Sequence, residues 1–144
     1  MSEDYKTKYE YAIAEIDNMR KRNRKDVDQA RELGRKETVL AVLPIMDDLD
    51  RAEAASSSLV DQAGFSAIRS KARSTLAILD VQAIETTVGK PFAASSMEAV
   101  ARVPAKALTA GHVAAELARG YEIRGKLLRP AQVVVAEDGP EDIS

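Results

Sequence analysis

Residues 5–30 read YKTKYEYAIAEIDNMRKRNRKDVDQA, and this stretch decides the first half of the fold. It contains neither Gly nor Pro, the two residues that break helices. Its less polar positions recur at alternating steps of 4 and 3 residues, which is the spacing of the a and d positions of a coiled coil. At one place two steps of 4 follow each other, and this irregularity locally unwinds a supercoil. Such a narrow seam predicts a long solvated helix that associates with itself; a lone solvated helix or an arm folded back on its own chain remain alternatives. The seam positions are Tyr5, Tyr9, Ala12, Ile16, Met19, Asn23, Val27 and Ala30.

A wider apolar face follows the seam. Residues 39–52 continue the helical pattern through Pro44, which we expect to kink or restart the helix. Ser56–Ser58 indicate a loop, and residues 65–79 show a second helical stripe. Because two broad stripes bury only part of their area against each other, we predict a four-helix bundle formed in a homodimer. The predicted dimerisation residues are Tyr9, Ile16, Met19, Val27, Leu43, Met46, Leu49, Phe65, Ile68, Leu76 and Leu79.

In the last part of the chain, Gly and Pro residues separate short apolar runs, a pattern typical of short strands. Six of the seven glycines lie after residue 60, and apolar runs at 81–88, 97–103, 113–119, 120–125 and 126–135 are separated by Gly or Pro. This spacing predicts a small antiparallel β domain. The fold class is therefore α+β, divided into a coiled-coil helix (1–38), a helical bundle dimerisation region (39–80), a β domain (81–138) and a C-terminal tail (139–144).

Composition and motifs exclude most chemistry. There is no Cys, so disulfides, thiolate metal ligands and cysteine nucleophiles are excluded, and one His cannot form a multi-histidine metal site. No phosphate-binding glycine loop, metalloprotease helix or serine nucleophile motif occurs. The acidic run Asp47-Asp48-Leu49-Asp50 fits a solvated helix face better than a metal site, because adjacent helix positions diverge. We therefore expect no enzyme, no catalytic residue, no metal and no cofactor.

Charge and hydropathy limit the partners. The net charge is −2, which does not indicate a bulk nucleic-acid binder, and no apolar run approaches the ~20 residues that span a bilayer. Because no secretion leader is visible either, we expect a cytoplasmic protein. The basic run at residues 20–36 leaves three interpretations open: a helix that binds phosphate, a helix that docks on an acidic protein surface, or an ordinary solvated coiled-coil face.

Four segments, in order, resemble the motifs of the GrpE family. Residues 14–22 (AEIDNMRKR) and 42–52 (VLPIMDDLDRA) are similar to its helix motifs. Gly89-Lys90-Pro91-Phe92 followed by residues 97–100 (MEAV) resembles the start of its β domain. The pattern from Gly120-Tyr121 through residues 128–131 (LRPA) to Val133 and Val135 resembles its C-terminal signature. The resemblance covers about residues 9–136.

This resemblance implies a nucleotide exchange factor for DnaK-type heat-shock chaperones. It implies a homodimer with paired long helices, a central four-helix bundle and β wings, of which one inserts into the nucleotide-binding domain of the chaperone's ATPase. By position, the partner-facing residues of the family correspond to Arg20 on the helix and to Lys126, Arg129 and Val135 near the last hairpin. Each position has an alternative: a solvated coiled-coil residue for Arg20, a turn charge for Lys126, a structural ion pair for Arg129 and a core position for Val135. Two other functions stay open: a dimeric coiled-coil adaptor, and a nucleic-acid-associated dimer using residues 20–36.

Overall fold

A computed structural model describes residues 2–85, 88–105 and 109–138 of the chain. It contains two helices and six strands, and the chain divides into two compact units, Met1–Val39 and Leu40–Ser144. Helix α1 extends from Ser2 to Ala55 and helix α2 from Leu59 to Ile78. The predicted tail at 139–144 lies outside the described residues.

In residues 2–38 of the first unit, α1 is exposed and shows ion pairs between residues four apart. Nearly every side chain from residue 2 to residue 38 is exposed. Lys8 pairs with Asp4 at 3.5 Å and Lys21 with Asp17 at 3.5 Å, both with the acid four residues before the base, the more favourable order on a helix. Each such pair contributes only about 0.2–0.5 kcal/mol. This stretch therefore has no core of its own.

The expectation that the helix restarts at Pro44 is wrong, whereas a kink at this residue stays a prediction. The helix continues without a break through this residue to Ala55. Pro44 lies on the exposed side, where water can reach the carbonyl that the missing N–H leaves free. Its neighbours Leu43 and Met46 are buried, and their burial stabilises the helix on either side of the proline.

The strands of the second unit form two three-stranded sheets. One has the order β1-β4-β5 and is antiparallel throughout. The other has the order β2-β6-β3, in which β3 is antiparallel to β6 but β2 is parallel to it. The strands are β1 (Val81–Ile84), β2 (Met97–Pro104), β3 (Val113–Ala118), β4 (Gly120–Ile123), β5 (Lys126–Arg129) and β6 (Ala131–Glu137).

The β domain differs from the sequence prediction in three details. One pair, β2 with β6, is parallel. The run 126–135 is split at Pro130, which has no N–H for the ladder and so separates β5 from β6. The first strand ends at Ile84, and Thr86 and Thr87 of its predicted extension lie outside the described residues.

The sheets have a small apolar core. Val113, Ala131, Val133 and Val135 form a buried cluster, with Phe92 and Met97 packed against it. The α+β fold class, with its long N-terminal helix and C-terminal β region, is confirmed. Pairing of the helices with a second copy stays a prediction.

Candidate functional site

The hairpin of β4 and β5 carries the sequence-predicted residues Lys126 and Arg129. Its two-residue turn is Arg124-Gly125, with φ of 51° and 77°, the two left-handed positions that a type I′ turn requires. Arg124 holds the turn to Asp80, the residue directly before β1: its backbone N–H donates to the Asp80 carbonyl at 3.0 Å, and its Nε lies 3.3 Å from Asp80 Oδ2. The turn is therefore fixed to the connection between α2 and β1.

The tip of the hairpin combines a cation with an apolar side chain. Lys126 and Leu127 are both exposed where β5 begins, whereas Leu128 is buried. A strand would place Lys126 on the face of Leu128, but the end of the hairpin leaves Lys126 in solvent. A charged group beside an exposed leucine is a surface that suits a protein partner with an acidic rim.

Arg129, at the other end of β5, is bound within the chain. Its guanidinium makes a forked ion pair with Asp47 of α1, Nη1 to Oδ2 at 2.8 Å and Nη2 to Oδ1 at 2.5 Å. Nε and Nη2 also donate to the Arg119 carbonyl at 3.0 and 2.8 Å. The two ionic side chains are only 20% and 21% exposed. The hydrogen bond to Asp47 raises the pKa of Arg129, so this arginine is charged at every working pH.

Tyr121 lies beneath this ion pair. The Arg129 guanidinium carbon is 5.3 Å from the centre of the tyrosine ring, within cation–π range. Tyr121 is buried, and burial, followed by the nearby Asp50 charge, raises the pKa of its hydroxyl above the ordinary value of 10.0. No described residue gives this hydroxyl a hydrogen-bond partner. The ring therefore supports the arginine while its hydroxyl adds no contact.

Further ion pairs join α1 to α2. Arg69 lies 2.7 Å from Glu53 and 3.4 Å from Asp50, with all three side chains about three-quarters buried. Asp48 pairs with Arg51 on the same helix. Each aspartate of the acidic run thus has a basic partner within the chain.

The predicted dimerisation residues separate into an exposed and a buried set. Tyr9, Ile16, Met19, Val27, Ile68 and Leu79 are exposed in the single chain. Leu49 and Phe65 are half-buried, and Leu43, Met46 and Leu76 are buried. The exposed set is available to a second copy, whereas the buried set already packs within one chain. Further exposed apolar residues were not among the predicted dimerisation residues: Tyr11, Ile13, Ile45, Leu59, Val60 and Ile78.

The remaining candidates lie apart. Arg20 is exposed on α1 in the first unit. Val135 is buried in the β2-β6-β3 core, the structural alternative considered for it. Sequence reasoning also missed the role of Asp47, because its partner is 82 residues away and no local spacing links the two.

Two searches of the described residues concern other classes of function. Neither α1 nor α2 has a segment long and apolar enough to cross a membrane. In residues 2–85, 88–105 and 109–138, no three side chains of the His, Cys, Asp or Glu type converge on a possible metal position.

Comparison with known proteins gives consistent matches. The GrpE family model matches residues 1–137. The chain is 33% identical over 134 residues to Protein GrpE of Actinobacillus pleuropneumoniae serotype 5b (strain L20), a match covering 87% of this chain and 66% of the relative. It is 31% identical over 138 residues to Protein GrpE of Gloeobacter violaceus (strain ATCC 29082 / PCC 7421), covering 92% and 70%.

A third relative, Protein GrpE of Xanthomonas oryzae pv. oryzae (strain PXO99A), is 30% identical over 131 residues, covering 86% of this chain and 73% of the relative. The chain spans just under two thirds of the length of the Actinobacillus relatives. The family match nevertheless includes both helices and all six strands. The chain therefore belongs to the GrpE family.

Proposed function

We propose that this protein is a co-chaperone that binds the ATPase domain of a DnaK-type heat-shock chaperone and promotes ADP release. The observation that carries the proposal is the family match over residues 1–137, which includes a hairpin with Lys126 and Leu127 exposed at its tip. Membership of this family favours exchange activity over the adaptor and the nucleic-acid-associated dimer. The proposal includes a cytoplasmic location, where such a chaperone works.

Nucleotide exchange of this kind requires differential binding and no catalytic group. A protein that binds the open ATPase cleft more tightly than the closed, ADP-holding cleft shifts the population towards the open form. A hundredfold increase of a small open population requires a hundredfold preference, about 2.8 kcal/mol at 1.4 kcal/mol per tenfold.

We propose that the contact surfaces are the hairpin tip at Lys126 and the exposed Arg20 on α1. Lys126 offers a charge that can meet an acidic rim, and Leu127 offers apolar area beside it. Arg129 and Val135, the other positions that the family resemblance indicates, support the hairpin and its neighbouring sheet from within.

The proposal also includes a homodimer, formed by the helix at 1–38 and the bundle region at 39–80, with the β domain at 81–138 as the wing. The support is the apolar area that α1 and α2 leave exposed in one chain, including Ile16, Met19 and Ile68. Ile16→Asp places a charge in the seam and should lower the sedimenting mass at micromolar concentration. Asn18→Asp, a charge added off the seam, is the control and should leave it unchanged. A parent chain that sediments as a monomer would remove this part of the proposal.

Release of a fluorescent ADP analogue from a DnaK-type chaperone tests the function. The parent should accelerate release, and Lys126→Glu should lower the acceleration about tenfold, because like charges then face each other across the contact. Lys90→Glu makes the same charge change on another exposed lysine of the β region and should keep the parent rate. Equal rates for both variants would exclude the hairpin tip as the contact. No acceleration by the parent would refute the function.

A further inference from the structure

The hydrogen-bonding capacity of Arg129 is almost fully used inside the chain. A guanidinium has five N–H donors. Arg129 makes four hydrogen bonds with them, two to the carboxylate of Asp47 and two to the carbonyl of Arg119. Its face also lies over the ring of Tyr121. An arginine held in this way has only one N–H donor left for a hydrogen bond to a second protein.

The same contacts fix the direction of the hairpin. Asp47 lies on α1 and Arg129 is the last residue of β5, so the ion pair connects the base of the hairpin to the helix. A forked pair fixes the plane of the guanidinium as well as its distance from the carboxylate. The tip at Lys126 is three residues further along the strand, about 10 Å at ~3.3 Å per residue. The turn end of the hairpin is held by Arg124 against Asp80, so this contact and the Asp47–Arg129 ion pair fix opposite ends of β5, and loss of the ion pair removes the contact at the base.

We propose that Arg129 is a positioning residue: together with Asp47 it sets the direction of the hairpin, and the partner is contacted by the tip and not by Arg129. This inference rests on the proposed function, since the contact that it positions is the one with the chaperone. It separates two cations that look equivalent in the sequence. Lys126 is the contact, and Arg129 holds the contact in place.

The variant Asp47→Asn distinguishes the two roles by the sign of its effect. If Arg129 contacted the partner, removing the Asp47 charge would free the guanidinium, and ADP release would stay at the parent rate or become faster. If Arg129 positions the hairpin, the forked ion pair is lost and release becomes slower, by about tenfold. Arg129→Lys should be slowed similarly, because lysine keeps the charge but cannot make the fork.

Two readouts separate positioning from simple destabilisation. The salt dependence of association should be weaker in Lys126→Glu, which loses a rim charge, and unchanged in Asp47→Asn. The distance between spin labels on Ala54→Cys and Lys126→Cys should have a narrow distribution in the parent background and a broad one with Asp47→Asn. The chain has no Cys, so the labels attach only at these sites, and dilution with unlabelled chain isolates the distance within one chain.

The outcomes keep this inference distinct from the proposed function. If the parent does not accelerate ADP release, the function fails, and the spin-label distances still test whether the ion pair orients the hairpin. If the parent is active and Asp47→Asn matches or exceeds it, the positioning role is wrong. Should Asp47→Asn fail to fold, Arg129→Lys decides, and retention of the parent rate in that variant would overturn the inference.

Discussion

Heat should unfold this protein in two steps, and the helix of the first unit, Met1–Val39, should melt before the second unit. Side chains from residue 2 to residue 38 are nearly all exposed, and their local pairs contribute only tenths of a kcal/mol each. A seam with Ala12, Asn23 and Ala30 buries little apolar area even when paired, at roughly 25 cal/mol per Å². The second unit has two sheets with a buried apolar cluster, and it also has partly buried ion pairs. The unit with fewer buried contacts opens at lower free energy.

The size of the first step follows from the helix lengths. Helix α1 has 54 residues and α2 has 20, and about half of all helical residues belong to the first unit. The first transition should therefore remove about half of the circular dichroism at 222 nm and leave the β signal intact. Differential scanning calorimetry should show the same two midpoints.

Two substitutions assign the transitions. Gly34 lies in the exposed helix with open space where a Cβ would be added, so Gly34→Ala should stabilise the helix by about 1 kcal/mol and raise only the first midpoint. Leu128 is 6% exposed, and Leu128→Ala should cost about 2–5 kcal/mol and lower the second midpoint by roughly 10 °C or more. One cooperative transition, moved equally by both substitutions, would refute the reasoning.

Three further predictions concern the second unit and its hairpin. Tyr121→Phe removes a buried hydroxyl without a described partner and should be neutral or stabilising by up to about 1 kcal/mol at pH 7, measured by urea unfolding. The pKa of Tyr121 is raised in the folded state, so the protonated hydroxyl favours folding fully below pH 10 and this effect is lost as the pH rises further. Tyr121→Phe should therefore reduce the loss of stability at alkaline pH. An identical dependence of stability on pH in the two proteins would contradict this. Gly120→Ala would place its Cβ 2.8 Å from the Ala131 backbone nitrogen and should lower the free energy of unfolding by about 2 kcal/mol or more. Gly64→Ala has open space on α2 and should raise it by about 1 kcal/mol. Equal effects of the two substitutions would show that the close approach of β4 and β6 is not rigid.

Local sequence patterns were sufficient for the helices and most strands. The absence of Gly and Pro before residue 34 and the 4-3 seam predict α1, and the position of Gly and Pro residues in the second half predicts where strands end. The restart expected at Pro44 does not occur, because Pro44 is exposed while Leu43 and Met46 are buried, and neither property can be read from the local sequence. The parallel pairing of β2 with β6 was missed for the same reason, since strand order depends on contacts distant in the sequence.

The candidate site shows a similar limit. The exposure of Lys126 follows from its place beside a turn glycine, which the sequence displays. The fixed position of Arg129 does not, because its partner Asp47 lies 82 residues earlier in a run that looks like a solvated face. Residue type and strand periodicity indicate which side chains are near the hairpin. Only the tertiary structure separates the exposed cation from the bound one.

The affinity of this protein for the ATPase domain of a DnaK-type chaperone, measured by calorimetry with and without saturating ADP, tests the central claim most directly. Linkage requires that if the protein weakens ADP binding, ADP weakens binding of the protein by the same factor. The account predicts tight binding to the nucleotide-free domain and an affinity at least tenfold lower with ADP bound. Equal affinities in the two states, or no binding to either, would contradict it.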